Sequence, residues 1–307
     1  MKIESQLKNV LAASRFAVTA ECGPPKGADP EAVIKKGRIL KGYVDSVNVT
    51  DNQTGVVRLS SLAACVLLLQ EGLDPVLQMV VRDRNRIALQ SDLLGASTLG
   101  IRNVLCLSGD HQSFGNQTQA IGVFDLDSIQ LIQTVRRMRD EGQIIGGEAV
   151  SPPPYLFIGA AANPFADPFF YRVIRLAKKV KAGTEFIQTQ CIYNLDRFKE
   201  WMSQVRDRGL HEKVYILGGI TPLKSAKMAE YIKNQVAGMD IPEPLIRRMK
   251  SVPAKGQRKE GIKISIETIQ ALKEMEGVHG VHIMAIEWEE AVPQVVEQAG
   301  LMPRPTV

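Results

Sequence analysis

Cysteine is scarce in this chain: four in 307 residues, Cys22, Cys65, Cys106 and Cys191, with no C-x-x-C spacing. That argues against a disulfide-stapled scaffold and against a cysteine-held cluster belonging to the chain itself. Three of the four fall within or just after apolar strand-like runs, where a free thiol serves as a small buried hydrophobe. Histidine is equally rare. His279 and His282 stand three apart on an expected strand and so point to opposite faces, and no metal site is expected. Aromatic residues make up 6% of the chain, and none interleave with the basic clusters, so no nucleic-acid surface is expected. No apolar run approaches the ~18–20 residues of a membrane span. The opening Met-Lys-Ile-Glu-Ser-Gln-Leu-Lys lacks the apolar segment of a signal peptide, which points to a cytoplasmic protein.

What is there is the composition of a globular body: 45% hydrophobic, 23% charged, 25 glycines and 16 prolines. Thirty-eight Lys and Arg against 33 Asp and Glu leave a net charge of +5. That favours acidic small molecules without demanding a polyanion. The short clusters Arg136, Arg137 and Arg139; Lys178, Lys179 and Lys181; and Arg247, Arg248 and Lys250 read first as solvated helix faces.

Eight runs rich in Val, Ile and Leu recur at 16–22, 43–50, 76–82, 103–108, 155–162, 186–191, 214–219 and 281–288. Amphipathic stretches of helical length lie between them, at 30–41, 55–71, 84–99, 126–141, 168–182, 195–208 and 222–236, with a last one near 291–299. Regular alternation of strand and helix predicts βαβ units and a parallel sheet. Eight units predict an α/β protein of the closed (β/α)8 TIM-barrel kind, in a single domain over 1–307. The stretch 241–261, with its prolines and charges, predicts an extra helix and loop before the last unit. An open doubly wound sheet would carry a G-x-G-x-x-G turn after the first strand. Here that strand runs into Glu21-Cys22-Gly23-Pro24-Pro25.

In a barrel the chemistry sits at the C-terminal ends of the strands, and alternate strand residues point inward. That places Ala17, Thr19 and Glu21 on one face of the first strand, and Asn48 with Thr50 on the second. It pairs Gln78 with Val80 on the third, and Phe186, Gln188 and Gln190 on the sixth. On the fourth it predicts Val104, Cys106, Ser108 and Asp110 facing inward, opposite Leu105 and Leu107. An unpaired carboxylate inside a packed barrel is costly, so Glu21 and Asp110 read as functional groups at the mouth; a salt bridge or loop cap is the bland alternative. Glu21 stands just before a stiff Gly-Pro-Pro turn, and Asp110 follows a glycine that lets backbone come close to a flat ligand.

At these residues the sequence resembles the methylenetetrahydrofolate reductases. The likeness rests on ordered segments at the expected strand ends: Thr19-Ala20-Glu21-Cys22-Gly23-Pro24-Pro25, Val47-Asn48-Val49-Thr50, Leu107-Ser108-Gly109-Asp110, Asn163-Pro164, Ile187-Gln188-Thr189-Gln190 and Gly218-Gly219-Ile220-Thr221-Pro222. Each is short, and their joint order is specific. The resemblance implies a flavin-bearing barrel that reduces 5,10-methylenetetrahydrofolate to 5-methyltetrahydrofolate, with hydride from flavin N5. By it, Glu21 matches the general acid, which a partly dry mouth would keep protonated near neutral pH. Asp110 matches the carboxylate that stabilises the iminium, and Gln190 the amide that holds the pterin. The matched flavin positions are Thr50, Gln78, Ser108, Gly109, Asp110, Val123, Phe124, Asn163, Asp167, Arg172, Arg175, Lys178 and Lys179.

The chain departs from the family pattern mainly on the flavin side. Ser108 stands for an Arg and Gln78 for a His; Asn163 and Asp167 stand for a Tyr and a His; Trp288 aligns with a basic substrate residue. Asp167 would repel a phosphate unless Arg172 or Arg175 offsets it. FAD and the shorter FMN both stay open. The departures are similar to the reductases of acetogenic bacteria, which pair with a zinc- and iron–sulfur-containing partner subunit. Electrons would then come from that partner instead of NAD(P)H, in a homo- or hetero-oligomer. Three other readings remain: nicotinamide-to-folate hydride transfer without flavin, a folate-binding subunit active only with a partner, and a pterin methyltransferase barrel.

Overall fold

The computed structural model describes residues 4–306. Eight parallel strands close on themselves: β1 (Ala17–Cys22), β2 (Ser46–Val49), β3 (Pro75–Val80), β4 (Asn103–Leu107), β5 (Phe157–Ala162), β6 (Phe186–Cys191), β7 (Tyr215–Ile220) and β8 (Gly280–Ile283), with β8 paired back to β1. Both faces of the strands are buried, as expected where helices cover a parallel sheet. Helices α2 (Glu31–Leu40), α3 (Ser61–Gln70), α4 (Arg86–Thr98), α5 (Ser128–Arg136), α6 (Phe170–Ala182) and α7 (Leu195–Asp207) follow β1 to β6 in turn. Asn85 caps α4 by accepting from the Ile87 and Ala88 amides, and Asp127 with Gln130 forms a capping box on α5. No helix among the described residues is long and apolar enough to cross a membrane.

A helix outside the expected strand–helix alternation precedes the barrel. In α1 (Gln6–Ala12), capped by Ser5, the side chains of Leu7, Val10 and Leu11 plug the barrel bottom. There they meet Ala17, Val76, Leu105, Phe157, Phe186 and Leu217 from the strands. The Phe186 ring occupies the space that a side chain at Gly159 would take, since a Cβ there would lie 2.2 Å from it.

The expected insertion before the last strand is larger than the stretch 241–261. After β7 come α8 (Ala226–Gln235), α9 (Glu243–Ser251) and α10 (Gln257–Lys273), before β8 and α11 (Ala291–Gln298). Leu272 of α10 belongs to the main core beside the sheet, whereas Ala229 and Ile232 of α8 and Ile246 and Met249 of α9 share a separate apolar cluster. So α10 fills the barrel's helix layer, and α8 with α9 is the addition.

Three further expectations need correction. Residues 43–45 and 284–288 lie outside the strands. His279 also precedes its strand and meets the edge of Tyr215, so strand parity does not govern the pair. On β4 the inward residues are Leu105 and Leu107, while Val104 and Cys106 pack against helices.

Candidate active site

The strand ends enclose a cavity of about 550 Å³. Glu21 of β1, Gln78 of β3 and Gln190 of β6 line it, with Thr50, Ser108, Asp110 and Asn163 from the segments that follow β2, β4 and β5. Arg172, Arg175 and Lys179 enter from α6. Other residues line it too: Gln188, which strand parity already sends inward, and Gln53, Ser128, Thr189, His282 and Met284, to which the sequence assigned no site role.

Below Glu21 lies a polar layer buried inside the barrel. The Asn48 and Gln188 amides exchange hydrogen bonds across it, Asn48 Nδ2 donating at 2.6 Å and Gln188 Nε2 donating back at 3.0 Å. Gln188 Nε2 also donates to Thr19 Oγ1 at 3.1 Å, and Thr19 Oγ1 lies 2.9 Å from His282 Nδ1. His282 Nε2 then faces Glu21 Oε2 at 3.8 Å. Buried amides and hydroxyls are tolerated because they are paired, and the pairing makes a rigid floor under the carboxylate. Inward parity on β1, β2 and β6 carries the signal for this layer, and pairing of Thr19 with His282 across β1 and β8 completes it.

The pairing of β6 with β7 shifts register between Gln188 and Cys191. Such an irregularity re-aims side chains near sites. Thr189 Oγ1 takes the Gly219 amide at 2.9 Å, and Gln190 Oε1 accepts from the Cys191 amide at 3.1 Å. The oxygen end of Gln190 is thereby held by backbone.

On the α6 side the charge is positive. Lys179 is 9% exposed, and its Nζ donates to the Ala161 carbonyl at 2.5 Å. Among the described residues it has no carboxylate partner in an ion pair. Burial, reinforced by the Arg175 charge, lowers the ammonium to about 8. Spacings of three and four residues place Arg172, Arg175 and Lys179 on one stripe of α6. Lys178, about 100° further round, is exposed with its Nζ against the Tyr171 hydroxyl and ring. Burial pushes the thiols of Cys22, Cys106 and Cys191 up to about 12, so none is a nucleophile near neutral pH.

A family model described as methylenetetrahydrofolate reductase matches residues 6–300. The chain belongs to the methylenetetrahydrofolate reductase family. It is 25% identical over 238 residues to methylenetetrahydrofolate reductase 1 of Schizosaccharomyces pombe, covering 75% of this chain and 36% of that protein. It is 25% identical over 270 residues to methylenetetrahydrofolate reductase 2 of Saccharomyces cerevisiae, covering 84% of this chain and 42% of that protein. The chain thus spans less than half the length of these relatives. A solved structure from Clostridium thermocellum, described as binding two copies of 5-methyl-5,6,7,8-tetrahydrofolic acid, shares the fold. Its TM-score is 0.66 at 15% identity, over 97% of this chain and 100% of that one.

Not every position matched to methylenetetrahydrofolate reductases reaches the cavity. Val123 and Phe124 are exposed, Val123 donating its amide to the Arg82 carbonyl at 2.7 Å. Asp167 points to Arg197 at 3.2 Å, with its side chain in solvent. Ser108 does line the cavity, with its hydroxyl donating to Ser128 Oγ at 3.2 Å at the start of α5. Gly109 turns the chain with φ +82°, and a Cβ there would lie 3.1 Å from Val80.

Proposed function

We propose that this chain reduces 5,10-methylenetetrahydrofolate to 5-methyltetrahydrofolate in this cavity, with a flavin as its cofactor. The observation that carries the reading is one cavity holding two carboxylates, Glu21 and Asp110, and the half-tethered amide of Gln190, beside a buried, carboxylate-free ammonium at Lys179. Family membership and the folate described for the Clostridium thermocellum protein support the substrate class.

The residues fit a flavin phosphate at Lys179, with Arg172 and Arg175 on the same helix stripe. A buried cation without its own anion is costly, and a ligand phosphate would offset that cost. Ala161 and Ala162 leave the β5 wall low enough for a flat ring. A reduced flavin bound there supplies hydride to the one-carbon unit.

Glu21 donates a proton to the folate nitrogen that leaves as the five-membered ring opens. The paired layer beneath gives that carboxyl a fixed floor, with His282 Nε2 3.8 Å away. Asp110 keeps a fixed negative charge near the resulting iminium. Gln190, its oxygen occupied by the Cys191 amide, offers its two N–H groups to the acceptor edge of the pterin. Holding the pterin still is itself a large part of the rate.

An anaerobic visible spectrum of the purified chain, with the released chromophore identified by mass, tests this. A flavin bleached by 5-methyltetrahydrofolate supports the reading, and a separate NADH run tells whether a partner must deliver electrons. A colourless chain that neither FAD nor FMN reconstitutes refutes the flavin. Hydride transfer direct from nicotinamide, which suits the distance of Val123, Phe124 and Lys178 from the cavity, then takes its place.

A further inference from the structure

Asp110 is held in place by a residue on a different loop. Its Oδ2 accepts from the Thr54 amide at 2.9 Å. That amide is presented by a turn with two non-glycine residues in the left-handed region, Asn52 at φ +45° and Thr54 at φ +56°. Asn tolerates that region, but for the β-branched Thr54 such backbone is unfavourable unless its surroundings hold it. Arg82, just past the end of β3, does the holding. Its Nη2 donates to the Asn52 carbonyl at 3.1 Å, and its Nη1 donates to the Asp110 carbonyl at 2.9 Å. Nε and Nη2 clamp the Asp83 carboxylate at 2.7 Å each, which fixes the plane of the guanidinium. The side chain is 3% exposed. Gly109 passes so close that a Cβ there would lie 3.3 Å from the Arg82 Cβ.

We infer that Arg82 is the positioning residue for Asp110: one guanidinium closes a ring from Arg82 through Asn52 and Thr54 to Asp110 and back, and so sets the direction of the Asp110 carboxylate at the mouth. This rests on the role given to Asp110 above. The fork geometry is essential, because one donor group must reach two carbonyls on separate loops. A lysine keeps the charge and reaches one of them.

The test is a double-mutant cycle with two readouts. In the flavin-loaded protein, Arg82→Lys is expected to slow flavin reduction by 5-methyltetrahydrofolate by about 10- to 100-fold, the scale of a 1 Å misplacement. Added to Asp110→Asn it is expected to slow the step no further, because both changes remove the same thing. A merely structural Arg82 gives multiplying losses, and that result overturns the inference. The second readout needs no ligand: hydrogen exchange in peptides covering 52–58 is expected to quicken in both Arg82→Lys and Asp110→Ala, the latter lacking the acceptor for the Thr54 amide. Unchanged exchange in either variant overturns the inference even if the wild type shows no folate reaction, a failure that would count against the proposed function alone. Asp83→Asn, at a position with a third of its side chain in water, loosens the same guanidinium without threatening the fold. It is expected to give a smaller, equally non-multiplying loss.

Discussion

Replacing Lys179 with methionine removes a buried charge while keeping most of the side-chain volume, and the consequences can be worked out from its ammonium at about 8. In the unfolded chain the group titrates near its ordinary 10.5. The folded protein therefore binds fewer protons between those values, so Lys179 destabilises fully below pH 8, and the penalty fades as pH rises through 10.5. At pH 7 the shift corresponds to about 3 kcal/mol. Losing the hydrogen bond to the Ala161 carbonyl returns about 1 kcal/mol. Lys179→Met is expected to melt a few degrees higher than wild type at pH 7, with the gap closing towards pH 10. Binding reverses the sign. If a phosphate restores the ordinary value, FMN binding takes up about 0.1 proton at pH 7 and about 0.9 at pH 9, and weakens about tenfold between them. Titration calorimetry in two buffers of different ionisation enthalpy reads both quantities. FMN bound equally well at pH 7 and 9 with no buffer-dependent heat would mean that no phosphate meets Lys179, and undiminished FMN affinity in Lys179→Met would mean the same.

Three other perturbations bear on the site and its scaffold. Glu21→Gln is expected to retain 5-methyltetrahydrofolate binding and flavin reduction by a donor, and to lose roughly 10²- to 10⁴-fold in methylenetetrahydrofolate reduction; full turnover removes the acid assignment. Asp110→Asn is expected to slow the folate half-reaction and to raise the flavin potential, since a nearby negative charge is gone. A potential equal to that of wild type by spectroelectrochemistry would place Asp110 away from the ring. At the barrel bottom, Asp74 accepts from the Leu7 amide at 3.1 Å and from Asn103 Nδ2 at 2.9 Å, and desolvation raises its carboxyl to about 6. The folded state then holds its proton more tightly than the unfolded one, so this group's contribution is complete below pH 4 and is lost as pH rises through 6. Thermal melts of Asp74→Asn should lose that part of the slope between pH 4 and 6, and an unaltered slope would locate the titration elsewhere.

How much of this was legible beforehand depends on whether a local period carries the information. The alternation of strand and helix was enough for the barrel, and parity correctly sent Thr19, Glu21, Asn48, Gln78 and Gln188 inward. It failed on β4, where both faces are apolar and only the polar end residues suggested a direction. There the chain leaves the strand at Ser108 and turns at Gly109, so parity does not propagate to Asp110. That residue reaches the mouth by its turn. The helix α1 was missed because it stands outside the strand–helix alternation, although Leu7, Val10 and Leu11 carry the spacing of a helix face behind Ser5; the strand residues they meet are distant in sequence and have no local mark. The Arg82 ring is likewise assembled from three separate loops, and nothing in their spacing announces it.

The two lysines of α6 show how the resemblance and the helix period complement each other. A match to a basic helix takes Lys178 and Lys179 together, because it aligns residue types along the chain. The helix separates them, since adjacent residues diverge by about 100°. Arg172, Arg175 and Lys179 form the stripe that faces the cavity, and Lys178 belongs to a face where solvent already screens it. Spacings of three and four were readable in the sequence; what they lacked was the knowledge of which stripe meets the strand ends. The Ala161 carbonyl under Lys179 supplies that direction. Lys178→Met is therefore expected to leave both the proton uptake and its pH dependence as in wild type, and a loss equal to that of Lys179→Met would show that the phosphate is held by a mobile basic surface instead of one buried ammonium.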